Sequence, residues 1–376
     1  MLSLYVHIPF CRERCLYCDF FLVTRRDHVG RFFEALAEET CAKAELIRGR
    51  KIKAIHFGGG TPSVVPFALI AGWLGQVAGI ADLAPDTEIT LEANPEDLDI
   101  PTLDAIRAEG INRLSIGVQS FVDRKLRALG RAHSADDSVR TVNLALERFD
   151  TVSIDLMCGA EGESLAEWEE DLQVALGLRP PHVSVYMLTL EEKTRLWRDV
   201  VRGSVLLPGE EVQAAMYDRA RQMLTAGGFR HYEVSNYCLE GHHSRYNLAS
   251  WMREPYIGFG PSAHSFVVSE NVETRFSNAP SLTRYLADPA GAVDFSEVLT
   301  PRQRFDEEVF LSLRINRGLP VEFLGKGQDA GIQQLDGELH RFLEKGWISI
   351  DGGVVTLTES GFLFADLVAA GLIHGL

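Results

Sequence analysis

Six short apolar segments alternate with segments of helical periodicity along the first half of the chain, and this alternation limits the possible folds more than any other feature. Strands are predicted at 2–7, 51–57, 88–92, 113–117, 151–156 and 182–188, with helices between them. Such alternation leads to right-handed crossovers and a parallel sheet. Because six units are fewer than the eight of a closed barrel, we predict an α/β fold with a partial (β/α)6 TIM-like barrel.

The C-terminal part predicts a second domain, an α+β unit resembling a winged helix. Helices are predicted at 301–314, 332–345 and 359–372, and a hairpin at 347–357 turns at two glycines. The predicted boundaries are a core barrel at 1–235, a connecting segment at 236–300 and this domain at 301–376. Its acidic residues outnumber its basic ones, so we expect it to cover a ligand or pair two copies in a homodimer rather than bind nucleic acid.

Three cysteines, Cys11, Cys15 and Cys18, follow the first predicted strand. Soft metals and iron–sulfur clusters prefer thiolate ligands, and the C-x3-C-x2-C spacing lets one loop direct three sulfurs to one centre. Three protein ligands leave one metal position for a small molecule. On spacing alone, zinc with a distant fourth ligand and plain buried thiols remain alternatives. Cys41, inside the first predicted helix, is expected to belong to the core.

Glycines and polar residues stand near the carboxyl ends of the predicted strands. Gly58–Gly60 follow the second strand, while Glu92, Gln119 and Asp155 lie at or just after the ends of later ones. The glycines permit close approach of a ligand to the backbone. Taken singly, each position also fits a turn, a cap or a buried hydrogen bond. Because the carboxyl ends of barrel strands meet at one mouth, we predict that these residues and the cysteine loop share one site.

The chain is acidic, with 37 basic and 53 acidic residues and a net charge of -16. General attraction to nucleic acid or to an anionic membrane is therefore not expected. The sequence shows neither a secretory signal pattern nor an apolar run long enough to span a bilayer, and its cysteine spacing does not suggest a disulfide framework. We expect a protein of the reducing cytoplasm.

These motifs resemble the radical S-adenosylmethionine (SAM) superfamily, and within it the branch of oxygen-independent coproporphyrinogen III oxidase and the HemW heme chaperones. The resemblance is carried by residues 5–11, 58–63, 92–95, 117–121, 129–133, 154–156 and 231–237. It implies that Cys11, Cys15 and Cys18 bind three irons of a [4Fe–4S] cluster and that SAM chelates the fourth. It also implies an electron donor and one-electron cleavage of SAM to a 5′-deoxyadenosyl radical.

The resemblance further implies which residues contact SAM. Gly59, Gly60 and Thr61 would meet its methionine end, and Glu92 its ribose hydroxyls. Further SAM contacts are implied for Tyr5, Gln119, Arg131 and Asp155, and for Tyr17 at a position that in the oxidase binds a second SAM.

Two features favour the chaperone over the oxidase. The first cysteine already stands at position 11, without the N-terminal extension of the oxidase, and Phe20 replaces a further cysteine of the oxidase. A chaperone would bind heme and deliver it to an accepting protein; a radical SAM enzyme acting on coproporphyrinogen or another substrate is the alternative. Glu161 and Glu163 are expected to add negative charge near the mouth, which disfavours a ligand with several carboxylates.

A heme-binding H-N-x-x-Y-W motif, typical of the chaperones, is altered in this chain. Asn247 and Trp251 match it, but Tyr246 replaces the histidine. Tyrosine can ligate ferric heme. The candidate heme ligands are therefore Tyr246, His231, His242, His243 and His264.

Overall fold

The computed structural model of the protein describes residues 1–326 and 332–374. Six parallel strands form the barrel: β1 (Leu2–Ile8), β2 (Lys51–Gly59), β3 (Asp82–Ala93), β4 (Arg113–Gln119), β5 (Thr151–Cys158) and β6 (His182–Met187). The helices between them are α1 (Val29–Ala42), α2 (Ala44–Ile47), α3 (Phe67–Ala78), α4 (Ile100–Ala108), α5 (Asp123–Leu129), α6 (Ala135–Leu146) and α7 (Leu165–Leu178). The predicted fold class, with its partial barrel, is confirmed.

Further strands extend this sheet on both sides. After α8 (Arg195–Val201) and α9 (Glu210–Ala226) come β7 (Arg230–Glu233), β8 (Asn236–Cys238), α10 (Arg245–Trp251), β9 (Tyr256–Phe259), β10 (His264–Ser269), β11 (Val272–Asn278), α11 (Leu282–Ala287) and β12 (Val293–Val298). Within the described residues, the strand order is β12-β11-β10-β9-β1-β2-β3-β4-β5-β6-β8-β7. Strand β9 pairs with β1 and β8 with β6, so the sheet continues at both barrel edges.

The C-terminal part forms a small separate sheet with helices packed on it. Its elements are α12 (Pro301–Ser312), β13 (Leu319–Pro320), α13 (Val321–Lys326), α14 (Ile332–Glu344), β14 (Ile348–Asp351), β15 (Val354–Leu357) and α15 (Ala365–His374). Phe342, Val355 and Val368 are fully buried in its core. The predicted hairpin is present as β14 and β15. The proposed domain boundaries at 235 and 300 stay predictions.

Alternate residues of the barrel strands face two different environments. On the outer side, Leu4, Val6 and Ile8 of β1 are fully buried in the main core, which the helices cover. On the inner side, neighbouring strands place polar residues side by side in register, as in Tyr5, His56, Thr90 and Arg113. The lumen is therefore polar, whereas the interior of a closed eight-stranded barrel is filled mainly with branched apolar residues.

Two further observations concern expectations from the sequence. Cys41 lies in α1 as predicted, but its side chain is exposed, so its assignment to the core is wrong. The helix turns it outward because Leu36 and Thr40 occupy the buried face. No helix in residues 1–326 and 332–374 is long and apolar enough to cross a membrane.

His231 joins the barrel to the C-terminal part. Its ring stacks on Tyr237 at 4.3 Å and lies 4.6 Å from the ring of Phe362, and Nε2 is 3.4 Å from the Val234 carbonyl oxygen, to which it can donate. Burial lowers the pKa of His231 to about 4. The folded protein therefore keeps this imidazole neutral at a pH where an unfolded chain would protonate it.

We expect His231→Phe to weaken the pH dependence of stability. Because the pKa is lower in the folded state, the free energy of unfolding is unaffected above about pH 6.5 and decreases progressively as the pH falls from about 6.5 to about 4. At pH 5 the loss is about 2 kcal/mol. Phenylalanine keeps the stacking but cannot titrate. Urea unfolding at pH 7 and pH 5 should show a smaller loss for His231→Phe than for the natural chain. The exposed His340→Phe serves as the control; equal losses in all three proteins would contradict the prediction.

Candidate functional site

The cysteine loop leaves the carboxyl end of β1 and is fixed largely by its own backbone. The amide of Cys11 donates to the Val23 carbonyl at 3.0 Å, and that of Cys18 donates to the Cys15 carbonyl at 3.3 Å. The Arg14 guanidinium donates to the carbonyls of Cys18 and Phe20 at 3.2 and 3.3 Å. The acceptors are all backbone carbonyls, so none of these bonds uses a cysteine sulfur.

The loop is also anchored to neighbouring loops of the barrel. The Leu16 amide donates to the Leu129 carbonyl at 3.3 Å, and the Leu16 carbonyl accepts from the Leu196 amide at 2.9 Å. Gly130 has φ +73°, and a Cβ on it would lie 2.9 Å from Leu16 Cγ. Only glycine allows this approach, which explains the glycine in the segment 129–133.

A chain of side-chain contacts connects two of the three cysteines. Cys11 Sγ lies 3.1 Å from Thr61 Oγ1, and Asn94 Nδ2 donates toward the same hydroxyl at 3.4 Å. The Arg131 guanidinium donates to Asn94 Oδ1 at 2.6 Å and toward Cys15 Sγ at 3.4 Å. The structure thus brings together the cysteine loop, the glycine turn, the end of β3 and the segment after α5.

The glycine turn lies directly against the cysteine loop. The amides of Gly60 and Thr61 donate to the carbonyls of Ile8 and Phe10 at 2.8 and 2.7 Å. A Cβ on Gly60 would lie 2.7 Å from the Phe10 oxygen, and one on Gly59 would lie 2.7 Å from the His7 ring. Gly59 also has φ +106°. Glycine is required at both positions for the turn to fit under the loop.

Glu92 and Asp155 lie on the lumen side of the same mouth. Glu92 Oε1 lies 2.8 Å from His56 Nε2, and Asp155 accepts from the Ser115 hydroxyl at 3.3 Å. Burial, together with the nearby Glu92 carboxylate, raises the pKa of Asp155 to about 6. Both side chains line a polar cavity of about 230 Å³ in the barrel lumen. Carboxylates at the edge of such a cavity can accept hydrogen bonds from ligand hydroxyl groups.

Gln119 adopts an unusual backbone conformation at the end of β4. Its φ is +64°, in the left-handed region that side chains other than glycine rarely adopt. Gln119 Oε1 and Arg131 Nε are buried, and neither has a hydrogen-bond partner among residues 1–326 and 332–374. Strained residues and unpaired polar atoms cluster at binding sites, because a bound ligand can supply the missing contacts.

The donor set fits an iron–sulfur cluster with SAM beside it. Burial raises the pKa of the Cys11 thiol to about 11 and also raises the pKa of Cys18, which favours the neutral thiols. A cationic metal centre would offset this effect and favour the thiolates that bind metal. Within the described residues, no group of three or more His, Cys, Asp or Glu side chains is arranged to hold a single metal ion. A [4Fe–4S] cluster binds each cysteine thiolate at a different iron, so the three cysteine sulfurs need not converge on one metal ion.

Helix α10, which carries the altered heme motif, reaches into the barrel. The Tyr246 ring stacks on His56 at 4.9 Å and on Tyr5 at 6.0 Å, and burial raises the pKa of Tyr246. Asn247 also lines the lumen cavity, while Trp251, at the other end of α10, lines a separate cavity of about 360 Å³. Tyr246 and Asn247 line this second cavity as well, so the motif borders both cavities.

The structure does not bring the candidate heme ligands together. The His242 and His243 carbonyls accept from Arg113 at the amino end of β4, and His242 Nδ1 lies 3.2 Å from Thr151 at the amino end of β5. Both histidines therefore lie at the barrel end opposite the cysteine loop. His264 is exposed and lines a third cavity, of about 370 Å³, together with Phe20.

Glu163, which was expected to add negative charge near the mouth, is buried and paired with a lysine instead of exposed there. Its side chain is fully buried and accepts from Lys125 Nζ at 2.5 Å and from the amides of Gly159 and Ala160 at 2.8 and 2.9 Å. Lys125 also donates to buried Asp171 at 2.9 Å. Lys125 offsets part of the charge of these two carboxylates, and Glu163 is buried, so of the two glutamates only Glu161 is partly exposed at the mouth.

The sequence assigned no role to Asn94 or Lys125, and it did not indicate what surrounds Tyr17. Asn94 stands in the segment 92–95, which could have indicated it. Tyr17 packs in a small apolar cluster with Leu129 and Leu196, and burial raises its pKa. No local pattern in the sequence points to Lys125.

Comparisons with known proteins agree with this geometry. The sequence model of the Radical SAM superfamily matches residues 5–175, and that of the HemN C-terminal domain matches residues 299–364. The heme chaperone HemW of Lactococcus lactis is 33% identical over 365 residues, covering 96% of this chain and 94% of that protein. The Bacillus subtilis HemW is 32% identical over 378 residues, covering 98% of each.

A mitochondrial relative and a solved structure extend these matches. Radical S-adenosyl methionine domain-containing protein 1 of Mus musculus is 40% identical over 270 residues, covering 71% of this chain and 61% of that protein. The structure of coproporphyrinogen III oxidase (HemN) from Escherichia coli, at 23% identity, superposes with a TM-score of 0.84 over 100% of this chain and 90% of that one, which shows a shared fold. The predicted resemblance is confirmed: this chain belongs to the radical SAM superfamily and, within it, to the HemW family.

Proposed function

We propose that this protein is a HemW-type heme chaperone of the cytoplasm that binds a [4Fe–4S] cluster, SAM and heme and delivers heme to an accepting protein. The observation that carries the proposal is the contact chain from Cys11 through Thr61, Asn94 and Arg131 to Cys15. It joins four separate segments around the three thiols. The near full-length similarity to proteins named heme chaperone HemW supports the heme part.

In this proposal Cys11, Cys15 and Cys18 hold the cluster, which together with SAM would supply one-electron chemistry and draw electrons from a donor. The Arg131 guanidinium stabilises the negative charge of the Cys15 thiolate. Gly59 and Gly60 keep side chains out of the space above the turn, where the methionine end of SAM would lie. Glu92 would accept hydrogen bonds from the ribose hydroxyls of SAM, and Tyr5, Gln119 and Asp155 would provide further contacts.

A radical SAM enzyme that oxidises coproporphyrinogen III is the second candidate function. Its support is the burial of Glu163 against Lys125, because the mouth then carries less of the negative charge that would repel the carboxylates of this substrate. Phe20, which stands where the oxidase has a cysteine, favours the chaperone function. Its side chain is 66% exposed beside the cysteine loop.

An anaerobic experiment separates the two functions. After reconstitution of the cluster, we expect saturable binding of heme with a shifted Soret band, and no turnover of coproporphyrinogen III in the presence of SAM and a reductant. Formation of 5′-deoxyadenosine is measured in the same samples. Repeated turnover of coproporphyrinogen III would overturn the chaperone proposal, and so would the absence of saturable heme binding.

A further inference from the structure

The open side of the partial barrel contains a cavity that the proposed cluster and SAM site does not use. It measures about 360 Å³. Tyr186 of β6 and Asn236 of β8 line it on one side, Tyr256 of β9 and Phe266 of β10 on the other, and Trp251 of α10 between them. The cavity therefore lies between the two edges of the barrel, next to the altered heme motif.

Aromatic side chains form much of the cavity wall. Besides Trp251 and Tyr256, the Phe266 ring carries guanidinium groups near its face, from Arg275 at 4.4 Å and Arg253 at 5.3 Å. Both arginines are held by Glu307, which Arg275 contacts at 2.5 Å and Arg253 at 3.1 Å. A cavity with several flat aromatic walls favours a flat, largely apolar ligand.

One wall of this cavity carries a buried carboxylate, one oxygen of which lacks a hydrogen-bond partner among the described residues. Glu233, in β7, is 0% exposed. Its Oε1 has no hydrogen-bond partner among the described residues, and its Oε2 accepts one long bond, from the Ser235 amide at 3.3 Å. The neighbouring Asn236 Oδ1 is likewise buried without a partner in the described part of the chain. Burial raises the pKa of Glu233 to about 7.

Such a group places a clear requirement on the ligand. Burial of polar acceptors without partners costs free energy, which a hydrogen-bond donor or a cation in the cavity would recover. The nearby Arg314 charge favours the ionised form of Glu233 and lowers its pKa, but the guanidinium is paired with Asp366 and donates to the Phe310 carbonyl at 2.9 Å, and it makes no hydrogen bond to Glu233 among the described residues. The cavity thus combines aromatic walls with an anionic group that needs a positive partner.

We propose that this cavity binds ferric heme and that the Glu233 carboxylate is an axial ligand of the iron. Ferric heme is a flat aromatic ring with a net positive charge at its centre, so one molecule satisfies both the aromatic walls and the unpaired carboxylate. The inference rests on the proposed heme binding and deepens it by naming the cavity and the ligand. It replaces Tyr246 and the four histidines as the group that meets the iron.

The other candidates are engaged elsewhere. Tyr246 also borders this cavity, but its ring is stacked on His56 and Tyr5. His231 contacts the Val234 carbonyl and stacks on Tyr237. His242 and His243 lie at the amino ends of the barrel strands, and His264 lines a different cavity. Glu233 is the acidic residue that lines this cavity within the described chain.

The test compares ferric heme with metal-free protoporphyrin IX on the natural chain and on Glu233→Gln. Glutamine keeps the shape of the side chain and removes the charge. We expect Glu233→Gln to weaken ferric heme binding by at least about tenfold and to shift the ferric charge-transfer bands, because a charged partner of the iron is lost. Binding of protoporphyrin IX should stay unchanged, since it carries no metal. Absorbance titrations measure the first ligand and fluorescence titrations the second.

The controls separate the possible failures. Glu270→Gln, at an exposed turn, should leave both affinities unchanged. If the natural chain binds no ferric heme, the proposed heme function fails, and this inference fails with it. If it binds heme but Glu233→Gln binds equally well, or loses both ligands to the same extent, the proposed function stands and the iron-ligand role of Glu233 is overturned. Should Glu233→Gln not fold, Glu233→Asp, which withdraws the carboxylate by one methylene, gives the same comparison.

Discussion

Replacing Cys15 by alanine is expected to remove nearly all of the broad iron–sulfur absorbance from the reconstituted protein. The thiolate is a covalent ligand of the proposed cluster, and no other residue in the loop offers a soft ligand in its place. Cys15 Sγ also accepts from Arg131 at 3.4 Å, so the variant leaves this guanidinium without its sulfur partner. Anaerobic reconstitution followed by absorbance spectroscopy and iron analysis measures the effect.

Cys41→Ala is the matched control. This cysteine lies in α1 with an exposed side chain, outside the cysteine loop. Its replacement removes one thiol from the same chain and should leave the absorbance and the iron content unchanged. If Cys15→Ala gave the same spectrum as Cys41→Ala, the cysteine loop would not be the metal site.

The positions of the site residues follow from sequence because two local patterns determine them. Hydrophobic periodicity identifies the strands and helices, and in parallel α/β units the loops after the strands meet at one end. The glycine turn, Glu92, Gln119 and Asp155 were therefore predictable as neighbours. The contact chain through Asn94 and Arg131 gives this prediction atomic detail.

Long-range pairing could not be predicted in the same way. Strand β9 pairs with β1 although more than two hundred residues separate them, and α10 enters the lumen so that Tyr246 stacks on His56. Glu163 is paired with Lys125, which lies 38 positions earlier in the chain. Neither the composition nor the periodicity of a segment records which distant segment it will contact, so the burial of Glu163 could not be predicted. The exposure of Cys41 follows instead from the phase of its own helix, in which Leu36 and Thr40 lie on the buried face.

The cavity proposed to bind heme is also difficult to predict from sequence, because its residues do not form a recognisable motif. Glu233 stands in the segment 231–237, which supports the family resemblance but suggests no chemistry by itself. Its significance comes from complete burial with one oxygen, Oε1, unpaired in the described chain, beside aromatic walls contributed by other strands. An unpaired buried carboxylate is a property of the fold and becomes visible only in three dimensions.

Gly59→Ala is expected to destabilise the protein by about 2–4 kcal/mol and to weaken SAM binding by at least about tenfold. Alanine is strained at φ +106°, and its Cβ would lie 2.7 Å from the His7 ring. That ring cannot easily move, because its Nε2 lies 2.8 Å from the Phe21 carbonyl oxygen and its Nδ1 lies 3.3 Å from the Tyr5 hydroxyl. The turn must then shift against the cysteine loop. Urea unfolding and equilibrium binding of SAM to the reconstituted protein measure the two effects.

Gly72→Ala makes the same chemical change where the surroundings permit it. Gly72 lies within α3, and a Cβ there would meet no atom within 4 Å. Alanine in a helix lowers the entropy lost on folding, so this variant should gain up to about 1 kcal/mol of stability and bind SAM normally. Opposite signs for the two substitutions would show that the requirement for glycine arises from the backbone conformation and close packing at Gly59. Equal effects would mean that the turn can relax, and its close packing under the loop would then not explain SAM binding.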